Sequence, residues 1–182
     1  MTALLCFDPG YSAGLASLVR SGDAFKAIRV GTIDAPSHQA LYARLHQLVA
    51  YECAAFQVDG RAPIGVVEMP PERPPKGKKP QAGVIGFAAG IFAAICYSLG
   101  VPVIRVPVKV IRRTVFGRID LNRAQAKAAA HKLAIREFGV TCYTDDEADA
   151  LAIARWAWAI IDAPEGHSAT QSKPAQLLRA LV

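Results

Sequence analysis

Asp8, Glu68, Asp146 and Asp149 are the residues whose types and placement could do chemistry in this chain. Asp8 closes the apolar run ALLCFD, directly before Pro9-Gly10, and Glu68 stands near the end of a second run, IGVVEM. A carboxylate at the end of an apolar strand is costly to bury alone, and adjacent strand ends in an α/β sheet are where ligands bind. Taken alone, Asp8 would be read as a turn cap, because DPG is a common turn sequence. Asp146 and Asp149 lie in TDDEADALAIA. Thr144 to Glu147 carry the capping-box pattern, which starts a helix at Asp145. Three residues apart, Asp146 and Asp149 then share one helix face. The helix dipole accounts for acids in the first turn, Asp145 and Glu147 among them, but Asp149 lies beyond it.

Four carboxylates from three distant segments can share a space only if they bind cations or stay largely protonated. Two Mg²⁺ ions about 3.5–4 Å apart, held by such oxygens, form the clamp by which many nucleases orient a water and stabilise the leaving oxygen. Mn²⁺ is expected to substitute. A zinc site is not indicated, because His38, His46, His131 and His167 are scattered without ligand spacing and read as surface or core residues. No Ser-His-Asp arrangement is legible. Clustered acids predict that cation binding weakens as pH falls and that cleavage rises toward alkaline pH.

The elements that must position these acids follow from hydrophobic period and turn residues. Residues 3–8 read as a buried strand. Residues 13–20 and 25–33 follow as strands joined by a turn at Ser21-Gly22, which makes an antiparallel meander. Ser37 can cap a helix to about residue 56, with Leu41, Leu45, Leu48 and Val49 at helical spacing. A fourth strand spans 64–69. Residues 70–80 hold five prolines and four basic residues and are expected to form a mobile loop. A Gly/Ala-rich helix over about 81–99, a strand at 101–106 and a short helix near 108–115 come next. Asn122 can cap a helix to about 138, and a further helix spans about 145–161. Residues 163–182 read as a tail, with a short helix at 174–181, after a single domain of residues 1–162. The predicted fold class is α/β: a mixed five-stranded sheet, a three-strand antiparallel meander plus two parallel strands, with helices on both faces.

Hydrophobic residues make up 52% of the 182 and charged ones 20%, enough to build a core and to exclude a disordered chain. The net charge of +6 is unevenly spread. Residues 73–136 carry 13 basic side chains against Asp120 alone, while both flanking regions are net acidic. Such segregation favours a phosphate-binding face. Cys6, Cys53, Cys96 and Cys142 form no C-x-x-C pair and read as reduced, buried thiols of a cytoplasmic protein. No signal peptide is indicated. The uncharged stretch 84–104 is interrupted by Gly100-Val101-Pro102, so it reads as a buried helix and strand, with no membrane association expected. Gly86, Gly90 and Ala94 at four-residue spacing would allow either a close helix approach across a dimer or ordinary packing on the sheet. Trp156 and Trp158 are assigned to core or interface.

The pieces LLCFDPGYSAGLASL, VVEMP, the Gly/Ala helix, VIRVPVKVIRRTVFG and DDEADALAIA together resemble the RuvC family of Holliday-junction resolvases, across about residues 3–160. The resemblance implies a ribonuclease-H-like nuclease with its four acidic positions at Asp8, Glu68, Asp146 and Asp149, each serving catalysis and Mg²⁺ binding. It implies a homodimer that nicks opposed strands of a four-way junction. The family's basic DNA-contacting positions fall on Arg112 and Arg123, and Arg113 lies beside them. Arginine can meet a phosphate bidentately. One departure stands out. The family usually carries an aromatic wedge shortly after the strand-four glutamate, whereas Glu68 is followed by Met69 and then prolines. Met69, or phosphate tracking by Arg73, Lys76, Lys78 and Lys79, are the available replacements. The competing readings are a broader branched-DNA or flap nuclease and a non-catalytic junction binder. The actin-like kinases and ATPases open with a similar acid-glycine turn, but they need a second domain that 182 residues do not accommodate.

Overall fold

The computed structural model describes residues 2–22, 24–69, 81–164 and 167–182. Five strands form one sheet: β1 (Thr2–Asp8), β2 (Ser12–Ser21), β3 (Ala24–Asp34), β4 (Ala62–Met69) and β5 (Val103–Pro107). Their order across the sheet is β3-β2-β1-β4-β5. β1, β2 and β3 pair antiparallel, and β4 and β5 add in parallel beside β1. The helices are α1 (His38–Val58), α2 (Gln81–Ser98), α3 (Val108–Phe116), α4 (Arg123–Phe138), α5 (Asp145–Asp162) and α6 (Lys173–Arg179). The meander and the two parallel strands are those read from the sequence.

Period-two alternation on β1 divides the core into two layers. Leu4 and Cys6 face one side, where they meet Ile153, Trp156 and Ile160 of α5. Ala3, Leu5 and Phe7 face the other, against Leu41, Leu45 and Val49 of α1 and Phe92 of α2. Phe7 and Phe92 stack with ring centres 4.9 Å apart. Covering both faces explains why the central strands are apolar without interruption. Cys6, Cys53 and Cys96 are buried free thiols, and Cys142 is half-buried and also free. Among the described residues no helix is long and apolar enough to cross a membrane.

The short helix expected near 174–181 is α6, whose fully buried Ala175 and Leu178 join the α5-side core. Arg179 also donates to the Ala163 carbonyl at 2.7 Å. An amphipathic pair three residues apart is too short a pattern to reveal burial without the surface that receives it. Glu52, inside α1, is 2% exposed and accepts from Arg29 at 2.5 Å, so the carboxylate that helical spacing sets on the buried face with Leu41, Leu45 and Val49 is held there as an ion pair.

Candidate active site at the strand ends

β1 and β4 run parallel with Cys6 opposite Val66 and Phe7 opposite Val67, so Asp8 and Glu68 leave the sheet side by side. Alternation puts both on the α5 side, the face of Cys6 and Val66. α5 begins over this corner. Thr144 caps it by accepting from the Glu147 amide at 3.2 Å, while Glu147 accepts in return from the Tyr143 and Thr144 amides. The Thr144 hydroxyl also lies 2.5 Å from that of Thr32 on β3, which ties the helix start to the sheet. Gly14, paired with Asp8 across β1 and β2, makes the approach feasible. A β-carbon there would fall 1.9 Å from the Asp146 carbonyl oxygen, so only glycine lets α5 descend this far.

Asp8, Glu68, Asp146 and Asp149 consequently line one cavity of about 540 Å³. Its charges are under stress. Burial, and then the charges of Glu68, Asp149 and Asp146, hold the Asp8 carboxyl well above the usual range, with Lys127 opposing. Burial and Asp149 raise Glu68 to about 7 against the pull of Arg112. Burial raises Asp149 to about 6, with Lys127 and Arg112 opposing and Asp145 and Asp146 adding to the rise. Burial is the first cause in each case, and neighbouring carboxylates add to the rise. An all-oxygen donor set of this kind suits a hard divalent cation. The side chains do not stand as a finished cage, however. Among the described residues no group of three or more His, Cys, Asp or Glu is arranged to hold a metal ion. The four acids proposed from sequence thus share one cavity.

Arg112 from α3 and Arg123 from the first turn of α4 both line the cavity. α3 ends on Gly117, in the left-handed region at φ 68°, and α4 starts from a capping box between Asn122 and Gln125. Of the two arginines, Arg112 is close enough for its charge to act on Glu68 and Asp149. Arg113 is exposed and does not line the cavity. Arg73, Lys76, Lys78 and Lys79 lie outside the described residues. Met69 is half-buried against the core layer of α1 and α2, on the side away from Glu68, so it does not project as a wedge.

Two cavity residues and one glycine were not singled out from sequence. Lys127 lines the cavity one turn after Arg123, a spacing of four residues that was visible in the chain. Tyr11, 62% exposed, stands at its edge and stacks on His38 with ring centres 6.2 Å apart. Gly14 was legible only as a glycine inside a strand, a usual mark of close backbone approach.

No protein-family model matches the chain, and no curated protein matches it significantly. Solved structures do. RuvC of Thermus thermophilus superposes with a TM-score of 0.64 at 19% identity, covering 86% of this chain and 94% of that one. The same protein in complex with Holliday junction substrate gives 0.61 at 19%, covering 85% and 91%. The Fowlpox virus resolvase, in complex with substrate Holliday junction DNA, gives 0.54 at 15%, covering 88% and 99%. At such identities the likeness speaks for the fold. The chain has the ribonuclease-H-like fold of RuvC and of the poxvirus resolvase.

Proposed function

We propose that this protein is a divalent-cation-dependent endodeoxyribonuclease that cuts branched DNA, resolving four-way Holliday junctions by paired nicks. One observation carries the reading: four carboxylates from β1, β4 and α5 line a single cavity rimmed by Arg112 and Arg123. The fold is one that other proteins use while holding junction DNA. Asp8, Glu68, Asp146 and Asp149 are the residues that would hold Mg²⁺, or Mn²⁺ in its place. A bound ion would polarise the phosphoryl oxygens and activate a water for attack on phosphorus. The chain's own residues do the rest. Arg112 and Arg123 hold the phosphodiester at the cavity mouth by charge-assisted hydrogen bonds. The β1–β4 register and the Thr144 cap keep the acids in place while the backbone is cut.

A homodimer belongs to this proposal, since paired nicks need two sites. Its support is α2, where Phe87, Gly90, Ala94 and Tyr97 form an exposed stripe at helical spacing, with Phe87 52% and Tyr97 56% exposed. Nothing lies within 4 Å of a β-carbon built on Gly90, so a second helix could approach closely there. Met69 packed into the core favours a second reading, in which the enzyme takes three-way junctions and flaps as well as four-way junctions.

Cleavage of labelled four-way junction, three-way junction, flap and duplex DNA, in Mg²⁺ and in EDTA, tests both readings. Junction nicking in Mg²⁺ that is lost in Asp8→Asn and Asp146→Asn, with binding retained in EDTA, is the expected result. A variant that cuts at the wild-type rate removes that residue from the mechanism. Binding without cleavage under any divalent cation leaves a junction-binding protein.

A further inference from the structure

Besides the acids and the arginines, the cavity holds a charged group not yet given a role. Lys127 lines the same cavity as the four carboxylates, and its charge bears on both Asp8 and Asp149. It does not hang free. Its ammonium is ion-paired with one oxygen of Asp145, and His131 Nε2 lies 3.2 Å from the other. Arg123, Lys127 and His131 are four residues apart along α4, so they form one stripe facing the start of α5. Asp145 is the residue immediately before Asp146 and is itself 41% exposed. The lysine is thus held at the boundary between an outer carboxylate and the inner acids, as a point charge on a flexible four-carbon stem.

We propose that Lys127 is a phosphate-binding residue of the site: Asp145 parks its ammonium at the rim, and the DNA backbone takes it over on entering the cavity. This rests on the nuclease reading above. Lys127 carries three donors on a flexible stem, so it can pass from a carboxylate oxygen to a phosphate oxygen without a change of fold. His131 then keeps Asp145 partnered. The ligand class is a phosphodiester, and the role is positioning, with no proton or bond assigned to the lysine.

Neutralising one backbone phosphate contributes about 0.7–0.9 to the slope of log K against log salt. Binding of a labelled four-way junction in EDTA over a range of salt therefore reads the contact without any cleavage. Lys127→Met should lower the slope by about that amount. In Mg²⁺ it should weaken half-saturation by DNA more than it slows the saturated rate, and Lys127→Arg should recover most of the loss. Asp145→Asn separates this from a structural ion pair. It removes the same pair, so it should cost similar melting temperature, yet it should keep the wild-type salt slope. Lys26→Met, at the end of the sheet opposite Asp8, controls for net charge and should leave the slope unchanged.

A Lys127→Met slope equal to wild type overturns the proposal. So does a loss of slope matched by Asp145→Asn, because the pair would then be acting only through the fold. Should Lys127→Met fail to fold, Lys127→Gln takes its place in the same salt titration and is read by the same criterion. Wild-type protein that neither binds nor cuts the junction overturns the nuclease reading, and this assignment with it.

Discussion

Replacing Glu68 with glutamine removes a carboxyl that the fold holds against its own preference for the neutral form. Glu68 titrates at about 7, against an ordinary 4.5, chiefly because it is buried and secondarily because Asp149 is near. A folded pKa above the unfolded one means that the folded chain binds the proton more tightly. Stability from this group is therefore present at low pH and declines as pH rises from about 4.5 to about 7. Above that window the ionised carboxylate costs about 3 kcal/mol, at about 1.4 kcal/mol per unit, relative to a neutral group. Arg112 loses a partner in the variant and part of the cavity faces solvent, so we take about half of this, roughly 1.5 kcal/mol. For a domain of this size that is a rise in Tm of about 3–6 °C. Thermal melts of wild type and Glu68→Gln in EDTA at pH 4.5, 6 and 8 provide the assay. The two proteins should melt together at pH 4.5, and the variant should be higher at pH 8. Added Mg²⁺ at pH 8 should raise wild type and narrow the gap, while cleavage by the variant is lost. If Glu68→Gln melts lower than wild type at pH 8 in EDTA, the ionised carboxylate does not cost the fold stability and the reasoning fails.

Gly14→Ala should strain the contact with the Asp146 carbonyl and cost about 1–3 kcal/mol, seen as a lower Tm. Its loss of cleavage should be larger than its loss of fold, because the displaced residue is a candidate cation ligand. Thr144→Ala removes the α5 cap and should cost about 1 kcal/mol, a Tm fall of about 2–4 °C; Thr32→Val, which removes only the hydroxyl partner, should cost less. The Mg²⁺ concentration giving half-maximal cleavage should drop as pH rises from 5.5 to 8. Glu68 and Asp149 titrate near 7 and 6, and a protonated carboxyl must release its proton to bind a cation. A half-maximal concentration independent of pH would contradict it.

How much of this was legible along the chain depends on the range of the interaction. The strands, the order of elements and the α5 capping box are local, set by hydrophobic period, turn residues and side-chain-to-backbone bonds within a few positions, and they could be read directly. Asp8, Glu68 and Asp149 could be nominated the same way, since a carboxylate ending an apolar strand and one beyond a helix's first turn are anomalies against local rules, and Asp146 follows from sharing the face of Asp149. Which groups meet was another matter. Lys127 and Asp145 are 18 residues apart and Thr32 and Thr144 are 112 apart, and no local pattern encodes such pairs.

Residue types and their period determined the two-faced sheet and the placement of acids at strand ends, because burial of apolar side chains acts on every stretch of chain alike. Only the tertiary structure decided that α5 comes down on Gly14, that Met69 lies half-buried against the layer of α1 and α2, and that α6 joins the α5-side layer. Those outcomes turn on the steric fit of surfaces brought together from distant parts of the chain. The same holds for the charge in the cavity: a carboxyl's proton affinity depends on its neighbours in space and on the solvent it has lost.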